Sequence, residues 1–175
     1  MKKAVAPILA SRDDSKILDT WSGLDAIALG VKSSEKGPIA VVSEVSKSVV
    51  ARFDVNLATE ISLWPDFTGK PGEIIELPVG AADGIARLYL VGVGAESLED
   101  LRKAGASLGR KTKGTGFHIL DALVTKKENV AAHATALALS QYVWSLKSET
   151  KKKKAYVENL IVFGSAPVGA HWMSQ

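Results

Sequence analysis

The segment at residues 87–105, RLYLVGVGAESLEDLRKAG, decides the fold of this 175-residue chain. Residues 87–93 form a nearly continuous apolar run, which is typical of a central β-strand that is covered on both faces. The run ends in Gly92 and Gly94, and a helix-like segment begins near Ser97. This order of strand, glycine turn and helix predicts an α/β domain, and it also raises the possibility of a phosphate-binding loop.

The helix after the glycine turn is indicated at both ends. Ser97 is a capping residue, and Asp100 lies three positions later in a variant of the capping box. Acidic residues in the first turn and basic residues in the last turn complement the helix dipole. Gly114 supplies a stop. The spacing predicts one apolar stripe, formed by Leu98, Leu101, Ala104 or Gly105, and Leu108.

Strand-like and helix-like segments alternate along the rest of the chain, which again favours an α/β domain. Further strands are predicted at residues 5–9, 24–31, 74–77, 117–124 and 159–163. A helix is predicted at residues 38–51, because Val42, Val45 and Val49 fall three and four apart. Another is predicted to run to Trp144, capped either by Thr125 with Glu128 or by Asn129.

Composition narrows the class of protein. Apolar residues make up 46% of the chain and charged residues 23%, as in an ordinary globular protein, and the net charge is +3. No window approaches the ~18 consecutive apolar residues of a membrane helix, so we expect no membrane partner. The absence of cysteine excludes disulfides and thiolate metal sites, and it fits a cytoplasmic protein.

The glycine turn lacks two features of a dinucleotide-binding loop. Ser97 occupies the position where a third glycine would be needed. Asp121 is a poor candidate for the carboxylate that binds the ribose, because it lies inside an apolar run. A plain strand-to-helix turn is therefore favoured, with a phosphate site as the alternative.

No set of residues predicts catalysis or metal binding, so we assign no catalytic, cofactor-binding or metal-binding residue. His118, His133 and His171 have no partner at ligand spacing, and a packed or partly buried side chain is expected for His118 and His133. Adjacent Asp13 and Asp14 are typical of a solvated surface. The lysines at residues 151–154 could attract the phosphates of DNA, but without interleaved aromatics a solvated loop is favoured.

Three stretches taken together resemble the N-terminal domain of the leucyl (cytosol) aminopeptidases. They are LYLVGVG with the following SLEDLRKAGASLGR, DFTGKPGEIIELP at residues 66–78, and ALALSQYVWSLKSETKKKK at residues 136–154. In the third stretch Tyr142 and Lys147 match the family, Trp144 stands for a phenylalanine and Leu146 for a second tyrosine. Order and spacing agree over residues 66–163, whereas earlier residues fit only in general pattern.

The resemblance implies a macro-domain-like α/β fold, with a mixed central β-sheet and helices on both faces. Residues 1–165 would form the non-catalytic N-terminal domain, and residues 166–175 would begin the linker towards a C-terminal catalytic domain that this chain lacks. In the family that domain binds two divalent metal ions, Mn or Zn, which polarise the scissile carbonyl and activate a water. The reaction releases N-terminal amino acids, preferably leucine, from peptides.

The same resemblance implies the partners. They are the protein's own catalytic domain, further copies in a homo-hexamer, and peptide substrates bound at the absent domain. The family's Asp-Ala-Glu-Gly-Arg stretch, which carries metal ligands, is nowhere in this chain, so the chain alone is expected to be inactive. A macro-like module that binds a nucleotide or ADP-ribose, or an accessory domain that binds DNA, are the alternatives.

Overall fold

A computed structural model describes residues 8–10, 17–20, 23–80, 84–142 and 157–162. The strands are β1 (Ile8–Ala10), β2 (Ala26–Lys32), β3 (Ile39–Ala40), β4 (Ile74–Pro78), β5 (Arg87–Gly94), β6 (His118–Ala122) and β7 (Glu158–Val162). The helices are α1 (Ile17–Thr20), α2 (Glu44–Phe53), α3 (Leu57–Ser62), α4 (Leu98–Thr112) and α5 (Val130–Gln141), and a 3₁₀ turn spans Lys127–Asn129. Within these ranges, none of the helices combines the length and apolar character needed to cross a membrane.

The strands form one mixed sheet in the order β1-β7-β6-β2-β5-β4. Neighbouring strands from β1 to β5 are parallel, whereas β4 pairs antiparallel with β5 and β3 pairs antiparallel with β2. Strand β5 is buried from Leu88 to Gly94, which confirms the prediction of a covered central strand. The apolar sequence of β5 follows from this position, because each of its faces contacts a hydrophobic core.

Two cores lie on opposite faces of the sheet, as the predicted fold class requires. On β5, Leu88 and Leu90 point into the core that contains α1, α2 and α3. The alternate residues Tyr89, Val91 and Val93 point into the core that contains α4 and α5. The mixed sheet with helices on both faces is therefore confirmed.

Helix α4 begins as its sequence predicts. The Asp100 amide donates to Ser97 Oγ at 3.1 Å, and the Ser97 amide donates to Asp100 Oδ2 at 3.4 Å, which completes the capping box. Leu101 and Leu108 are buried, but Leu98 is 42% exposed. The predicted apolar stripe was one residue too long, because Leu98 is the first helical residue and lies at the exposed end.

The helix predicted at residues 38–51 begins later than expected. Residues 39–40 instead form β3, and Ser43 caps α2 by accepting from the Ser46 amide at 3.0 Å. Val42 therefore precedes the helix and is 75% exposed, whereas Val45 and Val49 are buried as predicted. Pairing with β2 determines the conformation of residues 39–40, and helical periodicity alone could not show that pairing.

Of the two predicted caps of α5, only the position of Asn129 is confirmed. Asn129 is the N-cap residue, but its side chain makes no capping bond and donates to the Glu96 carbonyl at 3.2 Å. The Thr125 hydroxyl donates to Glu96 Oε1 at 2.9 Å. Both candidate caps are thus engaged by Glu96. The helix ends at Gln141, short of the predicted Trp144, which lies outside the described residues.

Candidate functional site

Two of the three family-like stretches contact each other directly. The loop at residues 67–73 lies against the end of β5 and is joined to it through the main chain. The Gly94 amide donates to the Gly69 carbonyl at 3.0 Å, and the Gly92 amide donates to the Glu73 carbonyl at 2.8 Å. In return the Gly72 amide donates to the Gly92 carbonyl at 2.9 Å. Loop and strand therefore form one structural unit.

This contact explains the glycine pair of the opening segment. A Cβ atom added at Gly92 would overlap the carbonyl oxygen of Lys70 and lie 2.9 Å from the Gly69 carbonyl carbon. Gly94 has a φ of +55°, and a Cβ atom there would lie 2.7 Å from Pro71 Cγ. Gly94 is a turn residue as the sequence indicated. Gly92 is required for close approach of the loop, and the sequence alone did not predict that contact.

The backbone amides of the glycine turn are already occupied. The Ala95 and Ser97 amides both donate to Asp100 Oδ2, at 3.1 and 3.4 Å, and the Glu96 amide donates to the Val93 carbonyl at 2.9 Å. A phosphate loop binds its ligand through amides that point outward at the start of a helix. Here the Asp100 carboxylate takes the place of such an anion. The geometry therefore favours a plain turn.

A polar cluster lies where β2, β5 and β6 end, at the edge where open α/β sheets bind their ligands. We call Lys32, Glu96, Thr125 and Asn129 the edge cluster. Glu96 is at its centre, with its side chain 6% exposed and paired with Lys32, the Thr125 hydroxyl and, through its carbonyl, Asn129. Its φ of 59° is unusual for a residue with a side chain.

The residues of the edge cluster bind one another and so join separate elements of the chain. Glu96 follows β5, Lys32 ends β2, Thr125 follows β6, and Asn129 precedes α5. A left-handed conformation costs of order 1–3 kcal/mol, and persists only where the surroundings hold it in place. The three partners of Glu96 provide that support. The cluster is thus a cross-link between strand ends, with the Lys32 side chain 43% exposed.

A second buried polar pair lies under α5, between His133 and Asp121. Both side chains are fully buried, with His133 Nε2 2.8 Å from Asp121 Oδ2. His133 Nδ1 lies 3.1 Å from the Leu101 carbonyl oxygen, and the Leu123 amide donates to Asp121 Oδ1 at 3.1 Å. The packed histidine was predicted correctly, but its partner was missed. A lone carboxylate in an apolar run was the available signal, because a buried charge requires a partner.

His118 is the first residue of β6. Its Nδ1 lies 3.1 Å from the Gly23 carbonyl oxygen, and its Nε2 lies 3.7 Å from Glu158 Oε2, with both side chains about half exposed. Across the part of the chain that the structure describes, no three residues among His, Cys, Asp and Glu group in a way that could hold a metal ion.

Several residues named above for their place in the sequence lie outside the described residues. They are Asp13, Asp14, Leu146, Lys147, His171 and the lysines at residues 151–154.

Comparison with known proteins identifies a family. Residues 38–151 match the model of the cytosol aminopeptidase family, N-terminal domain. Among solved structures, a mutant of tomato leucine aminopeptidase matches 98% of this chain and 36% of its own, with 20% identity and a TM-score of 0.63. The comparison with curated proteins found no match.

The bottromycin maturation enzyme BotP also resembles the chain. One BotP structure matches 79% of this chain and 27% of its own, at 19% identity and a TM-score of 0.51. A second, in complex with Mn, matches 86% and 28%, at 18% identity and a TM-score of 0.50. At such identities the likeness shows a shared fold. The chain spans 27–36% of the length of these three solved structures.

Proposed function

The chain belongs to the cytosol aminopeptidase family, and from this premise we propose that it is the non-catalytic N-terminal domain of a metal-dependent leucyl aminopeptidase. The observation that carries the proposal is the joined unit of the loop at residues 67–73 and β5, because it unites two of the family-like stretches in one structure. The match to a tomato leucine aminopeptidase over 36% of that protein supports a place within a longer enzyme.

A structural role is supported by how the polar groups of the described residues are used. Asp100 is bonded to the amides of its own turn, Glu96 to three neighbouring elements, and His133 to Asp121 and Leu101. Each group stabilises the domain, and each is bonded within the domain. We infer that the domain assists assembly of the enzyme or shapes access to its active site.

The remaining features of the full enzyme belong to the same proposal. Residues 1–165 would be the domain and residues 166–175 the start of a linker to the catalytic domain. That domain would bind two divalent metal ions, Mn or Zn, and the peptide substrate, within a cytoplasmic homo-hexamer. The described residues of this chain offer no three-ligand group to such ions.

The test is direct. The purified 175-residue chain is expected to release no p-nitroaniline from leucine p-nitroanilide, with or without added Mn²⁺ or Zn²⁺. A full-length leucine aminopeptidase, assayed in parallel with the same metals, provides the positive control. Metal-dependent turnover by the chain alone would overturn the proposal.

The two alternative functions, nucleotide binding and DNA binding, are each tested by a binding measurement. A ligand that binds only the folded state raises its stability, so a thermal shift with ADP-ribose, NAD or ATP would support a nucleotide-binding module. We expect no shift, because Asp100 occupies the amides of the glycine turn. Binding to duplex DNA that weakens steeply with rising salt would instead support a DNA-binding accessory domain.

A further inference from the structure

We propose that His133 is a doubly protonated imidazolium that locks α5 onto α4 and β6, and that loss of one ring proton is a switch that loosens α5. The proposal rests on the partners of the two ring nitrogens, on the lack of space around the ring, and on the charged group that faces it. It does not depend on the proposed function.

The partners of the ring require two N–H groups. His133 Nδ1 faces the Leu101 carbonyl oxygen at 3.1 Å, and a carbonyl oxygen can only accept. His133 Nε2 faces Asp121 Oδ2 at 2.8 Å. Asp121 Oδ1 accepts from the Leu123 amide, so Oδ2 is the carboxylate oxygen that faces the ring. A neutral imidazole carries one N–H and would leave one acceptor without a donor.

Water cannot replace a missing donor at this position. The side chains of His133 and Asp121 are both 0% exposed. Helix α4 approaches so closely that a Cβ atom added at Gly105 would lie 2.8 Å from the His133 carbonyl oxygen and 2.9 Å from its Nδ1. The glycine therefore makes room for the ring and for its bond to Leu101, and the space is filled by protein.

One charged group of the described residues, the Asp121 carboxylate, faces the His133 ring. Asp121 belongs to β6, and the other polar group that faces the ring is the Leu101 carbonyl of α4. The charged residues at this level of α4, Arg102 and Lys103, are exposed. On α5 itself the buried neighbours are apolar, namely Val130, Ala134 and Leu137. No second described charge acts on His133 in competition with Asp121.

Burial alone would favour the neutral ring. The charge and the hydrogen bond of Asp121, together with the Leu101 carbonyl, outweigh it and raise the pKa of His133 above its ordinary value. In the unfolded chain a histidine titrates near about 6.5. The folded chain therefore binds an extra proton above that pH. The resulting stability is complete below about pH 6.5 and is lost as the pH rises through the pKa of the folded state.

The first experiment reads the protons directly. Long-range ¹H–¹⁵N NMR spectra of the 175-residue chain at pH 7.5 should show a proton on both ring nitrogens of His133. A free histidine is mostly neutral at that pH, so the spectrum of a histidine-containing peptide gives the reference. A His133 ring with one proton at pH 7.5 would overturn the proposal, and this result needs no variant.

The second experiment tests the switch. Hydrogen-exchange protection factors of α5, corrected for intrinsic rates, should fall about tenfold for each pH unit between 6.5 and the folded-state pKa. In His133→Gln, whose amide can still donate to Asp121 but does not titrate, the fall should vanish. Asp121→Asn keeps the shape of the side chain but removes its charge, and the His133 ring of this variant should be neutral. An alkaline loss of protection that persists in His133→Gln would contradict the switch.

Discussion

The amide of Gly94 donates to the carbonyl oxygen of Gly69 at 3.0 Å, and this bond joins a strand end to a loop that comes well before it in the chain. The turn conformation of Gly94 and the close approach at Gly92 depend on the same contact. The glycine pair therefore has a structural explanation that does not involve a nucleotide, and that explanation can be tested by substitution.

We expect Gly92→Ala to destabilise the chain by about 3 kcal/mol or more, at the upper end of the cost of overpacking. The added methyl group would overlap the Lys70 carbonyl oxygen, and backbone cannot yield as a flexible side chain can. Urea unfolding followed by circular dichroism measures the change. Gly80→Ala is the matched control, because beyond its chain neighbours no atom of the described residues lies within 4 Å of its Cβ position, and it should cost less than about 0.5 kcal/mol. Equal costs for the two variants would refute the close-approach explanation.

Asp100→Ala should cost about 1–2 kcal/mol, because it removes the acceptor for the Ala95 and Ser97 amides and half of a capping box. Glu99→Ala is the control from the same helical turn. Glu99 forms an exposed pair with Lys103 at 2.7 Å, and exposed pairs of this kind contribute little to stability. Thermal unfolding distinguishes the two variants. If Glu99→Ala cost as much as Asp100→Ala, only general helix electrostatics would be at work.

Helices α4 and α5 are in close contact at Gly109. A Cβ atom added there would overlap Ser140 Oγ and lie 2.7 Å from the Leu137 carbonyl oxygen. Gly109→Ala should therefore cost about 1–3 kcal/mol, although alanine is the better helix former. Ser140→Ala relieves one of the two clashes. In a double-mutant cycle we expect the pair to cost less than the sum of its parts, by about 0.5 kcal/mol or more. Additive costs would show that the helices move apart instead.

Glu76 provides a prediction on pH. Its hydrogen bond to Lys111, opposed by burial and aided by Arg87, lowers the pKa of Glu76. The stability that this carboxylate contributes is present above the pKa of an unfolded glutamate and is lost as the pH falls through the folded value. Glu76→Gln should therefore reduce stability near pH 7, by less than about 1 kcal/mol because the pair is partly exposed.

The difference between Glu76→Gln and the unmodified chain should shrink as the pH falls through the folded-state pKa of Glu76, and it should also shrink at high salt. Urea midpoints measured at several pH values provide the data. A difference that stayed constant from pH 7 to pH 3 would mean that the substitution acts through packing.

Local signals in the sequence were sufficient where the structure itself is local. The pair of Ser97 and Asp100 predicted the start of α4, because a capping box involves four consecutive residues. The apolar run of β5 predicted a covered strand for the same reason. These elements, with the family-like stretches, fixed the fold class and the family. Whether the fold is macro-like stays a prediction.

Long-range contacts account for what the sequence did not predict. Ile39 and Ala40 pair with β2. A stretch with helical spacing therefore begins as a strand, and Val42 is exposed. Glu96 accepts hydrogen bonds from Thr125 and Asn129, the two predicted caps of α5, because the ends of β5 and β6 meet at one edge of the sheet. His133 and Asp121 could each be recognised as unusual, but only the crossing of α5 over β6 makes them partners.

The sheet order also bears on how the protein is made. Strand β1, at one edge, pairs with β7, so that Ile8 lies beside Leu160. During synthesis the first strand leaves the ribosome long before its neighbour does. The strands β2, β5 and β6 can assemble in the meantime, because their partners lie closer in sequence. Contacts between distant residues slow folding. Strand β1 therefore stays without its neighbour β7 until residues 158–162 have been synthesised.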